Sequence, residues 1–243
     1  GSRGLGDVYK RQDHMRAEDL FPYKVLFYPH ATIVTQETAD KLTAYVEQGG
    51  CLVLGCRTGY KQENGKCVMS KLPGLLQPLA GTDIPEYTFV SPAEGTVYAD
   101  WDGVQIEAGI FNDLLEPLTD QAKVEARYVS SYYAGTPALI SNEKGKGRVY
   151  YFGGAFNEHT AQVFLEKLGA AQPYQDIIAL PEGCELMVRE AQDGSQYFFV
   201  LNYLEEAAEI CLKESFLDLF EGKEVQGELE LPPFGTKVFA RKK

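Results

Sequence analysis

Residues 23–59 constrain the fold most strongly, because they have the pattern of a strand, a helix and a second strand in immediate succession. Lys24 to Tyr28 is a short apolar run, and Pro29 ends it because proline cannot donate to a sheet ladder. A second apolar run, Cys51 to Leu54, follows the helix. Two buried strands joined by a helix form a right-handed crossover between parallel strands, so the sequence predicts an α/β domain with an open sheet.

The helix of this unit has clear boundaries in the sequence. Thr35 can cap its first turn, and Glu37 lies where a helix N-terminus favours negative charge. Gly49-Gly50 ends it, since glycine adopts left-handed backbone conformations at little cost. The helical spacing predicts a buried face made of Ala39, Leu42 and Val46.

A polar segment, Tyr60 to Ser70, follows the second strand and contains the turn signal Asn64-Gly65. It is predicted to be a loop or hairpin at the carboxyl edge of the sheet, where ligands and partners of open α/β sheets bind. Further strands and two helices follow it. The strands are predicted at 87–90, 96–99, 104–107, 124–130, 138–141 and 148–152, and the helices at 75–79 and between Asn157 and Gly169.

From Ile177 the helical period disappears and six short strand-like runs follow. They are predicted at 185–190, 196–202, 209–213, 223–225, 228–231 and 236–240. This spacing predicts a small antiparallel β-sandwich or barrel. The domain boundaries are then 13–172 for the α/β domain and 177–243 for the β domain. Residues 1–12 resemble a cloning scar and linker, so the natural sequence is expected to begin near Asp13 as the interior of a longer protein.

Charge and cysteine content exclude several classes of function. The net charge is −12, from 23 basic and 35 acidic side chains, so phosphate backbones and anionic lipids would repel the chain. The five cysteines lack paired CxxC spacing, and the three histidines, His14, His30 and His159, are dispersed. No metal, cofactor, nucleic acid or membrane partner is predicted, and free thiols favour the cytoplasm.

Two short sequences resemble catalytic motifs. Cys56 follows a buried strand, and with His159 it would make an amidotransferase-like cysteine hydrolase, although the Gly-x-Cys-x-Gly elbow is absent. Asn157-Glu158 resembles the acid/base pair of retaining glycosidases, but capping and the helix dipole explain both residues. Trp101, set between two aspartates, is predicted to be exposed, which leaves a carbohydrate-binding module as a further alternative.

A series of short motifs resembles the C-terminal half of the family 42 glycoside hydrolases, the bacterial β-galactosidases. The motifs are Tyr23-Lys24, Pro29, 45–50, Arg57-Thr58-Gly59, Pro73-Gly74, 79–81, 135–138, 145–153, 181–183, 199–202 and 233–235. Each motif is short, but their order covers residues 13–240.

This resemblance implies a flavodoxin-like or class I glutamine amidotransferase-like trimerisation domain followed by a small β-domain. In the family a catalytic TIM barrel precedes them and carries both catalytic glutamates, so the resemblance implies no catalytic residues here. The parent would be a homotrimer that hydrolyses terminal β-galactosides. We predict that Arg57, Thr58, Tyr60, Glu63 and Asn64 contact a neighbouring subunit or border its active site, with Arg57 as a forked donor to a carboxylate or a backbone carbonyl.

Overall fold

The computed structural model describes residues 15–91, 93, 95–170 and 174–241, which form two compact units that meet in sequence near residue 172. The predictions for residues 1–12, Asp13 and His14 lie outside the described residues. Among the described residues, the first unit contains the short 3-10 helices Ala17–Asp19 and Gly74–Leu76 and the α-helices α1 (Gln36–Glu47), α2 (Gln77–Ala80) and α3 (Glu158–Lys167).

Ten strands complete the first unit. They are β1 (Val25–Tyr28), β2 (Cys51–Leu54), β3 (Thr82–Phe89), β4 (Tyr98–Trp101), β5 (Val104–Glu107), β6 (Gly109–Pro117), β7 (Ala122–Tyr128), β8 (Pro137–Lys144), β9 (Gly147–Phe152) and β10 (Gly154–Ala155). A seven-stranded sheet has the order β1-β2-β9-β8-β7-β4-β5, and a three-stranded sheet has the order β10-β6-β3. Strands β1, β2 and β9 are parallel and the other pairings are antiparallel, so the predicted α/β open sheet is confirmed as a mixed sheet.

Side chains alternate between the two faces of the large sheet, and each face carries helices. Leu52 and Leu54 pack on the side of α1 and α2, and Val53 packs on the side of α3. In α1, Thr35 Oγ1 accepts the N–H of Thr38, and Ala39, Leu42 and Val46 are buried as predicted. The β1–α1–β2 segment therefore has the structure that its sequence pattern predicts.

Strand β6 is the main element that sequence reasoning missed. Its sequence contains Gly109, Asn112, Asp113 and Pro117, which are all poor strand formers. It forms because β3 and β10 pair with it on both sides. Backbone pairing in the folded chain outweighs local propensity here.

The second unit is antiparallel throughout, as predicted. Its strands are β11 (Ile178–Ala179), β12 (Cys184–Glu190), β13 (Gln196–Asn202), β14 (Ala208–Asp218), β15 (Lys223–Leu231) and β16 (Thr236–Arg241). All six belong to one sheet of order β11-β14-β16-β13-β12, with β15 paired to β14. The expected break at Gly227 was wrong, because β15 continues through it and pairs Gly227 with Leu212.

Candidate assembly site

The loop after β2 has a strained backbone at its centre. Arg57 has φ +61°, in the left-handed region that is rare for residues other than glycine. Thr58 Oγ1 donates to the carbonyl of Gly55 at 2.6 Å, and the N–H of Gly59 donates to the carbonyl of Ala31 at 2.9 Å. These bonds fix both ends of the turn that carries Arg57.

Asp113 on β6 lies beneath this loop and is fully buried. Its Oδ2 accepts the backbone N–H of Arg57 at 3.0 Å and the hydroxyl of Tyr151 at 2.9 Å. Its Oδ1 accepts the hydroxyl of Tyr60 at 2.9 Å. Burial raises the pKa of this carboxyl group, while these hydrogen bonds and the Arg57 charge act in the opposite direction.

The guanidinium of Arg57 lies on aromatic rings. Its Cζ is 5.2 Å from the ring centroid of Tyr60, 5.6 Å from that of Tyr87 and 4.6 Å from that of Phe111. Within the described part of the chain, Arg57 forms no ion pair. Among the described residues, the predicted forked hydrogen bond therefore has no acceptor, and the side chain is available to an acceptor on another molecule.

Aromatic residues on β3 and β6 extend this surface. Tyr87 is opposite Asp113 and Phe89 is opposite Phe111 in the antiparallel register. The Phe89 and Phe111 rings meet edge to face at 5.5 Å, yet Tyr87 is 54% exposed and Phe89 57% exposed. We call Arg57, Tyr87, Phe89 and Phe111 the Arg57 face. Exposed apolar surface concentrated in this way makes the Arg57 face a candidate interaction site.

The predicted contact residues divide into an inner and an outer group. The side chains of Thr58 and Tyr60 are buried and support the loop from within. Glu63 and Asn64 are exposed in the predicted hairpin, where Asn64 Oδ1 accepts the N–H of Lys66 at 3.0 Å. Sequence reasoning did not single out Tyr87, Phe89, Phe111 or Asp113. The alternation of Tyr87 and Phe89 along a predicted strand was the available signal.

The geometry around Cys56 does not fit a cysteine nucleophile. The nearby histidine is His30, whose Nδ1 is 3.5 Å from Sγ, whereas His159 is exposed on α3. His30 Nε2 accepts the N–H of Phe156 at 3.1 Å, so the proton of a neutral ring lies on Nδ1. The ring then offers the thiol no acceptor, and burial, followed by the Asp113 charge, raises the thiol pKa.

The expectation that Trp101 is exposed was wrong. Its side chain is buried and its ring lies 5.1 Å from Phe164 and 5.7 Å from Tyr150, measured between centroids. Trp101 ends β4 and points to the core, which is the normal alternation along a strand. It therefore offers no platform for a sugar.

Asn157 is a helix cap, as predicted. Its Oδ1 accepts the N–H of Thr160 at 2.8 Å, and Glu158 begins α3. Among the described residues, we find no cluster of His, Cys, Asp and Glu that could hold a metal ion. Within the same residues, no helix has the length and apolar content needed to cross a membrane.

Two glycines in the sequence motifs permit close backbone contacts at this end of the sheet. A Cβ on Gly59, whose φ is +71°, would lie 2.1 Å from the carbonyl oxygen of Pro73. A Cβ on Gly153 would lie 2.3 Å from the carbonyl oxygen of Asp113 and 2.5 Å from the Tyr128 hydroxyl. Only glycine fits either position without displacing Pro73 in the first case or Asp113 and Tyr128 in the second.

The two units are thus a mixed α/β domain with an exposed aromatic face and an antiparallel β domain. The chain belongs to the family 42 β-galactosidases: residues 13–173 match the β-galactosidase trimerisation domain and residues 183–241 match the β-galactosidase C-terminal domain.

Known relatives and solved structures agree with this family. β-Galactosidase BgaA of Clostridium cellulovorans is 32% identical over 228 residues, covering 91% of this chain and 33% of that protein. Pbg of Clostridium perfringens is 30% identical, with 92% and 33% covered. A catalytic mutant of Gan42B, a GH42 β-galactosidase from G. stearothermophilus, has a TM-score of 0.76 at 28% identity, with 92% and 32% covered. The chain thus spans about a third of the length of these relatives.

Proposed function

We propose that this chain is the assembly part of a homotrimeric β-galactosidase and that the Arg57 face contacts a neighbouring subunit. The observation that carries the proposal is the Arg57 guanidinium, which has no ion pair among the described residues and lies on the half-exposed ring of Tyr87 and on Phe111, whose ring meets the half-exposed Phe89, on a family trimerisation domain. Arginine and aromatic residues are enriched in protein interfaces and dominate their energetics.

Burial of this face would contribute substantially to association. Tyr87 and Phe89 each expose more than half of their surface. Burying the remaining ~100 Å² of each ring would stabilise an interface by about 2 kcal/mol per ring. A carboxylate or carbonyl of the neighbour would accept the forked donors of Arg57, and a subunit of net charge −12 has many carboxylates.

The hairpin after the loop extends the proposed contact. Glu63 and Asn64 are exposed at its turn and would lie at the rim of the interface or border the active site of the neighbour. Thr58 and Tyr60 would act from below, because their buried side chains fix the turn that carries Arg57. All five residues thus remain in the proposal, with different roles.

We further propose that the parent hydrolyses terminal β-galactosides in the cytoplasm, with its catalytic barrel as the intramolecular partner of this chain. The similarity to named β-galactosidases supports this activity. This chain alone is expected to leave an aryl β-galactoside intact. Release of the aryl group by the purified chain, with rate proportional to its concentration, would contradict that expectation.

Sedimentation equilibrium tests the proposed face. We expect the chain to self-associate as its concentration rises, and Phe89→Asp to weaken association by at least about tenfold because a carboxylate would be buried in an apolar contact. Phe220→Asp is the matched control, since Phe220 is 64% exposed in the second unit. A monomer at every concentration, or equal weakening by both substitutions, would overturn the proposal.

A further inference from the structure

The conformation of the Arg57 face depends on a residue that does not itself reach the surface. Asp113 is fully buried, and its three hydrogen-bond donors come from two separate elements. The Arg57 N–H and the Tyr60 hydroxyl belong to the loop after β2, and the Tyr151 hydroxyl belongs to β9. The carboxylate therefore connects the loop to the sheet.

The hydrogen bond to the Arg57 backbone also sets the direction of the Arg57 side chain. At φ +61° the N–H of Arg57 turns inward to Asp113 Oδ2, while the guanidinium lies over the Phe111 ring. A left-handed conformation costs a non-glycine residue about 1–2 kcal/mol, so it needs a compensating contact. Asp113 supplies that contact.

All three groups that donate to Asp113 are neutral, so the Arg57 guanidinium is not used as a partner of this carboxylate. Two tyrosine hydroxyls and one backbone N–H satisfy the carboxylate, and the guanidinium is not ion-paired to it among the described residues. An asparagine would place an NH₂ group where one acceptor oxygen stands; a tyrosine hydroxyl can accept from that group, but the proton of the hydroxyl then loses its acceptor.

We propose that Asp113 is the positioning residue of the assembly face: it holds the 55–60 loop so that the unpaired Arg57 guanidinium is presented on the aromatic rings. This inference rests on the proposed function of the face. The arrangement of Asp113 can nevertheless be tested separately, because Cys56 lies in the same loop, is buried, and becomes accessible to a thiol reagent only if the loop opens.

The experiment compares Cys51, at the start of β2, with Cys56, in the loop that follows the strand. Maleimide labelling of Cys56 reports opening of the loop, and labelling of Cys51, which is partly exposed and whose pKa burial raises to about 11, is the internal reference. In Asp113→Asn we expect the Cys56 rate, relative to the Cys51 rate, to rise about tenfold or more, and self-association to weaken by a similar factor.

Tyr60→Phe provides a second variant if Asp113→Asn fails to fold. It removes one donor and leaves the carboxylate in place, so we expect a rise in the relative Cys56 rate of about two- to fivefold. An unchanged ratio in a folded variant would overturn the role of Asp113. A raised ratio with unchanged self-association would support the loop role and overturn the proposed function of the face, so the two failures are distinguishable.

Discussion

Each unit of the chain contains a buried aspartate, but the two carboxylates have different partners. In the first unit, Asp113 accepts hydrogen bonds from two tyrosine hydroxyls and one backbone N–H. In the second, Asp218 accepts the Lys237 ammonium at 2.7 Å and the N–H groups of Phe220 and Glu221. The first arrangement uses neutral donors and the second uses a cation.

The difference determines what each site leaves exposed. Lys237 forms ion pairs with both Asp218 and Glu221, so its charge is neutralised locally. Arg57, beside Asp113, has no ion-pair partner among the described residues. Burial raises the pKa of Asp113, whereas at Asp218 burial is outweighed by Lys237 and two backbone N–H groups, which hold the pKa below its ordinary value. At Asp218 the ion pair with a lysine stabilises a local turn. At Asp113 the neutral donors position a loop, and the charge of Arg57 is left without an ion pair in the described structure.

Removing Asp113 should have the largest effect on stability. Asp113→Ala leaves three buried donors without an acceptor, and we expect it to lower the free energy of unfolding of the first unit by about 3–5 kcal/mol. Trp101, the sole tryptophan, lies in this unit and reports its unfolding in urea by fluorescence. Asp120→Ala, at an exposed loop aspartate, is the control. A loss below about 1 kcal/mol would show that the carboxylate does not support the loop.

Asp218→Asn should destabilise the second unit by a smaller amount, about 2 kcal/mol. The amide oxygen can still accept from Phe220 and Glu221, and Lys237 keeps Glu221 as a partner. Faster hydrogen exchange confined to β14 and β16 is the expected result. Glu209→Gln, at an exposed position of β14, is the control and should leave hydrogen exchange unchanged. If both substitutions changed exchange equally, Asp218 would have no special role and the contrast between the Asp113 and Asp218 sites would be lost.

The two sites should respond to acid in opposite directions. The raised pKa of Asp113 gives stability that is present below the unfolded pKa of about 3.9 and lost as pH rises through the folded value. The lowered pKa of Asp218 gives stability that is present above about 3.9 and lost as pH falls through the folded value.

Variant differences measured at several pH values would separate these contributions. The stability of the wild type relative to Asp113→Asn should increase as pH falls towards about 4, because only the wild type carries the carboxyl group with the raised pKa. The stability relative to Asp218→Asn should decrease below about pH 4. If both differences changed in the same direction, the contrast between neutral donors and a cation would be wrong.

Arg57→Gly should have the smallest effect on stability, within about 0.5 kcal/mol. Loss of the ring contacts costs about 1 kcal/mol, and relief of the φ +61° conformation returns a similar amount. Self-association should nevertheless weaken, since the surface charge is lost. Trp101 fluorescence in urea measures the change in stability, and sedimentation measures the change in self-association. A stability loss above about 1.5 kcal/mol would assign Arg57 a structural role.

Local patterns predicted the parts of the fold that depend on neighbours in sequence. The β1–α1–β2 unit, its Thr35 cap and the Asn157 cap follow from spacing within one element. Trp101 was misassigned because its flanking aspartates are typical of turns, although strand alternation directs the indole inward.

The candidate site could be predicted only in part. Arg57 was identified from its position after a strand, but Asp113 lies 56 residues from it in sequence and on a strand with poor propensity. Tyr151 is a further 38 residues away. A hydrogen-bond network assembled from three distant segments leaves no local pattern, so neither Asp113 nor its connection to Arg57, Tyr60 and Tyr151 could be found from the sequence.

Hydroxyl-radical footprinting tests the central claim most directly, because it reads solvent exposure of the Arg57 face in the associated protein. Oxidation of Tyr87 and Phe89 should fall by about fivefold or more as concentration rises, since the core of an interface excludes water. Tyr132 and Phe220, which are 72% and 64% exposed, serve as references and should stay constant. If the oxidation of Tyr87 and Phe89 stayed as constant as that of the references while the concentration rose, the account would be contradicted.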